Sequence, residues 1–96
     1  MADVKLIRMS SGEDVIATVV KNHHPLISIK DAIVAIPTSQ GKIGFAPWSP
    51  LISKQNPVIP VSINFVVYIA DPDSAILEQY SSMFGHIVAP TQRIII

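Results

Sequence analysis

Apolar and β-branched residues come in short runs along this chain, and turn formers separate the runs. Val4 to Met9 makes a first run, closed by the turn "SSGED", in which Gly12 supplies the backbone freedom a tight reversal needs. Val15 to Val20 follows, β-branched at Val15, Ile16, Thr18, Val19 and Val20, and both of its faces are apolar. That pattern is expected of a strand with the core on one side and a neighbour on the other. "KNHHP", Lys21 to Pro25, breaks the run, and the proline is expected to stop pairing. Leu26 to Ile36 predicts a longer third strand, crossed midway by Lys30 and Asp31. Adjacent charges in a strand point to opposite faces, so one of the two looks inward or marks a bulge.

After the turn "PTSQGK", Ile43 to Ala46 predicts a short strand that ends in "PWSPLISKQNP". Pro47, Pro50, Pro57 and Pro60 bracket that loop and exclude a regular helix there. Val61 to Ala70, "VSINFVVYIA", reads as the strongest strand of all. It leads into "DPDSAILEQYSSMFG", where Asp71 is placed to cap a helix, Pro72 to take its first position, and Asp73 to favour its dipole. Ile76, Leu77, Tyr80 and Phe84 form one apolar stripe, and Gly85 suits a C-terminal cap. The tail "HIVAPTQRIII" predicts a last strand or an extended arm with its isoleucines packed. The list is mainly β: five short strands, then one helix, as in a small, strongly bent β-barrel with a C-terminal helix. One domain spans 1–96, with the barrel over about 3–70, the helix over about 72–84 and the tail over 86–96.

Composition adds a second expectation. Apolar residues make up 49% of the chain and charged residues only 15%, so polar material is scarce for covering the surface. Hiding part of that surface in an oligomer is one solution, and a monomer with large exposed patches is the other. Seven basic and seven acidic side chains cancel, which excludes a global field toward nucleic acid and leaves only local patches. The absence of cysteine removes disulfides, thiol nucleophiles and Cys-based zinc sites. The N-terminus meets charges at once, unlike a signal peptide, and no apolar run reaches the length of a membrane span. A soluble, cytoplasmic protein with no membrane partner is the simplest expectation.

Candidate chemistry is sparse. His23 and His24 are possible metal ligands, but adjacent side chains point apart and no further ligand lies at metal spacing, which favours an exposed loop pair. His86 follows the helix and suits its C-terminal dipole. No nucleophile elbow or phosphate loop occurs, and the carboxylate pairs Glu13–Asp14 and Asp71–Asp73 have local structural explanations. The expectation is no enzyme, no metal and no cofactor. Trp48, with Phe45 just before it, reads as a core or loop anchor; its functional alternative is a stacking platform for a base, flanked by Lys42 and Lys54. Lys21, Asn22, His23 and His24 offer a second mix of cation, amide and flat rings suited to bases and phosphates.

The stretch "MSSGEDVIATVV" resembles the first signature of the Sm-like (LSm) family. Met9 stands at the apolar end of its strand, Gly12 at the turn glycine, and Val15 and Ile16 at the start of the next strand. Thr18-Val19 occupies the family's small-then-leucine step. Ala17 stands where the family often has a second glycine at a strong bend, which implies a gentler bend. In "NHHPLIS", His24 matches the family's stacking position, while Ile27 occupies the place of its pocket asparagine. The Arg-Gly step of the second signature has no counterpart in "VIPVSINFVVYIA", and the helix follows the strands where the family's usually precedes them. As a whole the chain looks like divergent Sm-like proteins of marine phage, cyanophage type, and of ocean metagenomes.

That resemblance implies an Sm-like, SH3-type barrel and a homo-oligomeric ring built by strand-edge pairing. It also implies binding of RNA or single-stranded DNA, in phage nucleic-acid processing and in the host cell's cytoplasm. The nucleic-acid-binding residues would be Lys21, Asn22, His23, His24, Lys42, Trp48 and Lys54. The missing pocket asparagine and Arg-Gly step leave a structural or assembly module that binds only proteins as the alternative.

Overall fold

A computed structural model describes residues 3–39 and 41–84. The readings made for Gly85, His86 and the isoleucine tail lie outside the described residues. Six strands form one antiparallel sheet: β1 (Val4–Met9), β2 (Asp14–His23), β3 (Leu26–Pro37), β4 (Ile43–Pro47), β5 (Ile59–Ser62) and β6 (Val66–Ala70). One helix, α1 (Ser74–Phe84), follows. The fold is therefore mainly β, with six strands where the hydrophobic runs predicted five. The difference lies in "VSINFVVYIA", which is not one strand: Ile63–Phe65 form a 3-10 turn, and the Ser62 hydroxyl accepts from the Asn64 N–H at its start.

That corner shapes the sheet. The strand order is β4-β3-β2-β1-β6, with β5 also pairing β3, and no ladder joins the two ends among the described residues. Yet β5 on the β3 edge and β6 on the β1 edge are joined by only the turn Ile63–Phe65. The sheet is open but must curl strongly to let so short a link span its edges. The turn is fastened at both ends, by Ile63 N–H to the Pro25 carbonyl (2.9 Å) and by Ser10 N–H to the Phe65 carbonyl (2.7 Å).

Curling gives the sheet two apolar faces. The inner face collects Ile7, Met9, Val15, Ala17, Ile27, Ile29 and Val61 as a buried cluster, with Val66 and Ile69 of β6 packed against it. Each isoleucine fully buried there contributes roughly 2 kcal/mol of transfer free energy. The outer face presents Ile16 and Ile33, covered by Tyr80 of α1, with Ile76 and Phe84 one turn to either side. Leu77, the fourth member of the predicted stripe, remains 38% exposed. The helix starts two residues later than 72: Asp73 is its cap, accepting from the Ala75 N–H at 3.1 Å. Asp71 instead receives the Lys5 ammonium at 2.6 Å.

The pairing of β2 with β3 carries two irregularities. Opposite the single residue Ala17, β3 inserts both Asp31 and Ala32, and Asp31 takes φ 53°. The adjacent charges of the third strand thus mark a bulge, one of the two outcomes their spacing allowed. Further along, Val20 is an extra residue on β2 between the pairs Val19–Ile29 and Lys21–Ser28. Pairing continues through His23 to Leu26, so "KNH" belongs to a strand, and His24-Pro25, with a cis peptide bond, makes the hairpin turn.

The Tyr80 hydroxyl lies 2.9 Å from Thr18 Oγ1 and donates to the Asp31 carbonyl at 2.9 Å, tying α1 to the bulge. Replacing Tyr80 by Phe strands these buried partners and should cost about 1–3 kcal/mol in urea unfolding. Burial pushes this phenol up from 10.0 to about 12. Its contribution is therefore fully present below pH 10 and fades as pH rises toward about 12, because the unfolded chain ionises first. Alkaline unfolding curves should show this loss in the native chain and lack Tyr80's share of it in Tyr80→Phe.

Candidate nucleic-acid interface

The seven residues singled out in the sequence fall in three separate places. Lys21, Asn22, His23 and His24 are all exposed at the end of the β2–β3 hairpin. The register distributes them: Lys21 pairs with Ser28, Asn22 with buried Ile27, and His23 with Leu26. Paired residues of an antiparallel ladder share a face. Ile27 belongs to the inner cluster, so Lys21 and His23 look outward while Asn22 lies on the inner side at the sheet's end. His24 sits at the turn.

Lys42 lies at the opposite end of β3, in the turn before β4, where its carbonyl accepts from the Thr38 N–H and hydroxyl. Lys42 and Trp48 flank β4 on either side, separated by six residue steps, or about 20 Å of extended chain. They do not form a joint patch. Trp48 is partly buried against the inner cluster, its backbone N–H donates to the Ala32 carbonyl at 3.0 Å, and its indole N–H reaches Glu13 Oε1 at 3.3 Å. The anchor reading of Trp48 describes this environment. Lys54 belongs to the proline-rich loop and lines a cavity of about 330 Å³ with Asp31, Ser49, Ser53, Ile59 and Phe84.

Ion pairing divides the cations sharply. Lys5 pairs with Asp71 and Asp3, and Arg8 with Asp14 through Nε and Nη2 at 2.5 and 3.1 Å. The hydrogen bond each cation donates to its carboxylate, Lys5 to Asp71 and Arg8 to Asp14, holds both above their ordinary pKa range. Lys21, Lys30, Lys42 and Lys54 make no salt bridge among the described residues. Three of these four were singled out by sequence. Lys30 was read only as half of a charged pair, and its signal, the bulge beside it, becomes informative once the register is known. It pairs with Thr18, which bonds Tyr80 on the outer face, so Lys30 emerges on the same face as Lys21 and His23.

No three metal-ligating side chains gather among the described residues. No helix among them is long and apolar enough to cross a membrane. The chain matches no family model and no curated protein. Placement of Trp48 against the core predicts that Trp48→Ala lowers stability by about 2–3 kcal/mol in chemical unfolding, near the low end for a core aromatic because the ring is only partly covered. An unchanged unfolding midpoint would leave Trp48 without an anchoring role.

Proposed function

We propose that this chain is a ring-forming, non-enzymatic Sm-like protein that binds RNA or single-stranded DNA through its hairpin and loops. The setting would be phage nucleic-acid processing in the host cell's cytoplasm. The observation that carries the binding part is the set of lysines without a salt bridge among the described residues, Lys21 and Lys30 on the β2–β3 arm and Lys42 and Lys54 in separate turns, while the other described cations are paired. Flat groups lie beside them in His23 and His24, suited to bases.

The ring part is supported by the edges. Among the described residues β6 is an edge strand, without charge or proline, and its bulged residue Val67 is 62% exposed, with Phe65 beside it at 59%. Its short length and bulge are the guards it carries, and charge, proline or a covering element, the other usual ones, are absent among the described residues. Pairing with the edge of another copy would satisfy its backbone groups and cover the apolar surface that the composition leaves over. A second reading, an assembly module that contacts only proteins, is favoured by Ile27 in the place of the family's pocket asparagine and by Leu51, 96% exposed on the proline-rich loop.

Titrating labelled poly-U, poly-A and mixed single-stranded DNA at low salt should give modest affinity with a shallow salt dependence, as a neutral chain requires. Silence at high micromolar protein would overturn the binding reading and leave the protein module. Light scattering should show a discrete oligomer, and Val67→Lys on the exposed edge should dissociate it without loss of fold. A monomeric native chain would overturn the ring.

A further inference from the structure

The outer face of the hairpin beyond α1 is built from three strands, β2, β3 and β5. Thr18 and Lys30 face each other across the ladder, then Lys21 and Ser28, then His23 and Leu26. On the far side of β3, Pro60 pairs with Ser28 and Ser62 with Leu26. Thr18 and Tyr80 mark where helix cover ends, because their hydroxyls meet there. Past that point the face is open: Lys21, His23 and Leu26 are exposed, and Lys30 and Ser28 are partly so.

The charges that the three strands place on this face beyond the bulge are cationic. The segments 18–23, 26–30 and 59–62 contain no acidic residue. Lys21 and Lys30 stand diagonally across neighbouring strands, at a separation of about 7–8 Å between such positions. Like charges carried on positions so close repel each other, and neither lysine has a carboxylate within salt-bridge distance among the described residues. Asp31, the next residue after Lys30 and the carboxylate nearest this face in sequence, sits in the bulge, where it lines the cavity with Lys54 and Phe84 and its charge acts on the Tyr80 hydroxyl. An anion bridging the two lysines would turn the repulsion into attraction.

The shape of the face selects among anions. The diagonal step of about 7–8 Å between Lys30 and Lys21 is comparable to that between neighbouring phosphates of an extended single strand, and His23 lies two residues further along β2, about 7 Å on. Ser28 and Ser62 add neutral hydroxyl donors, the side chains that commonly position phosphates alongside lysine. The exposed His23 ring at the end of the row adds a flat surface for a base.

We infer that the outer face of the β2–β3 arm is the track for the phosphate backbone of a single strand, with Lys30 and Lys21 as adjacent phosphate contacts and His23 beside the base that follows. This rests on the nucleic-acid reading above and narrows it. Lys30 enters the site, Asn22 leaves it because it faces the other way, and the cavity around Lys54 is a separate feature.

The test uses the full chain with fluorescein-labelled poly-U and mixed-sequence single-stranded DNA over a salt series. Lys21→Ala and Lys30→Ala should each weaken binding about three- to tenfold and reduce the slope of log affinity against log salt by about 0.7, the release expected per phosphate contact. Lys5→Ala removes the same charge from a paired site on β1 and should leave binding unchanged, which separates a local contact from net charge. Thermal unfolding of each variant checks the fold, and Lys30→Gln replaces Lys30→Ala if the latter is unstable. Undiminished binding by both outer-face variants while the native chain binds would overturn the track and leave the broader reading standing. No binding by the native chain overturns both. Equal binding of poly-glutamate overturns the assignment to nucleic acid in favour of acidic protein partners.

Discussion

β2 is buried from both sides, and the rest of the architecture answers that constraint. Val15 and Ile16 are neighbours in sequence, point to opposite faces, and are almost completely inaccessible. A flat sheet would expose one of them. Curling places Val15 and Ala17 in a common interior with residues from the other strands, and α1 covers Ile16 from outside. Tyr80 is the closing element of the outer layer: its ring fills the contact and its hydroxyl satisfies Thr18, the one polar residue buried in the strand. The same hydroxyl takes up the Asp31 carbonyl at the bulge, so helix, strand and bulge are fixed together.

The candidate interface follows from where this cover stops. Ile16 and Thr18 lie under the helix, whereas Lys21 and His23 lie past it on the same face of the same strand. The extra residue Val20 adjusts the register between the two zones. Without it, the side chains of "KNH" would swap faces, because a single-residue shift inverts every side chain beyond it. The bulge is therefore what sends Lys21 and His23 outward and Asn22 inward.

Much of this was legible in the sequence, because hydrophobic runs and turn formers report local preferences. The strands before residue 47, the helix stripe of Ile76, Tyr80 and Phe84, and the irregularity at Lys30–Asp31 all have signals of that kind. The corner at Ile63–Phe65 was hidden because isoleucine and phenylalanine suit strands, and only Ser62 and Asn64 hint at a turn. Asp71 was misplaced as the cap because its partner, Lys5, is 66 positions away in the chain. "KNHH" reads as a loop by composition but is held as strand by its ladder to β3, a tertiary effect. The faces of Lys21, Asn22 and Lys30 depend on register, which no periodicity of a single segment encodes.

A net charge of zero is a poor guide to such a molecule, because the sum hides the arrangement. Arg8 and Lys5 are neutralised where they stand, by Asp14 and Asp71. Seven residue steps of β2 separate Asp14 from Lys21, over 20 Å along the strand at about 3.3 Å per residue. That exceeds twice the Debye length of about 8 Å at physiological salt, so the carboxylates of the β1–β2 turn exert little force on the lysines of the arm. With Asp31 at the bulge as the one carboxylate close by in sequence, Lys21 and Lys30 leave the arm a small local excess of positive charge even though the whole chain carries none. Such a surface attracts anions only at short range. It would hold a strand by a few contacts at a time, and a closed oligomer that repeats the arm around an axis is one way for weak contacts to add up to useful affinity.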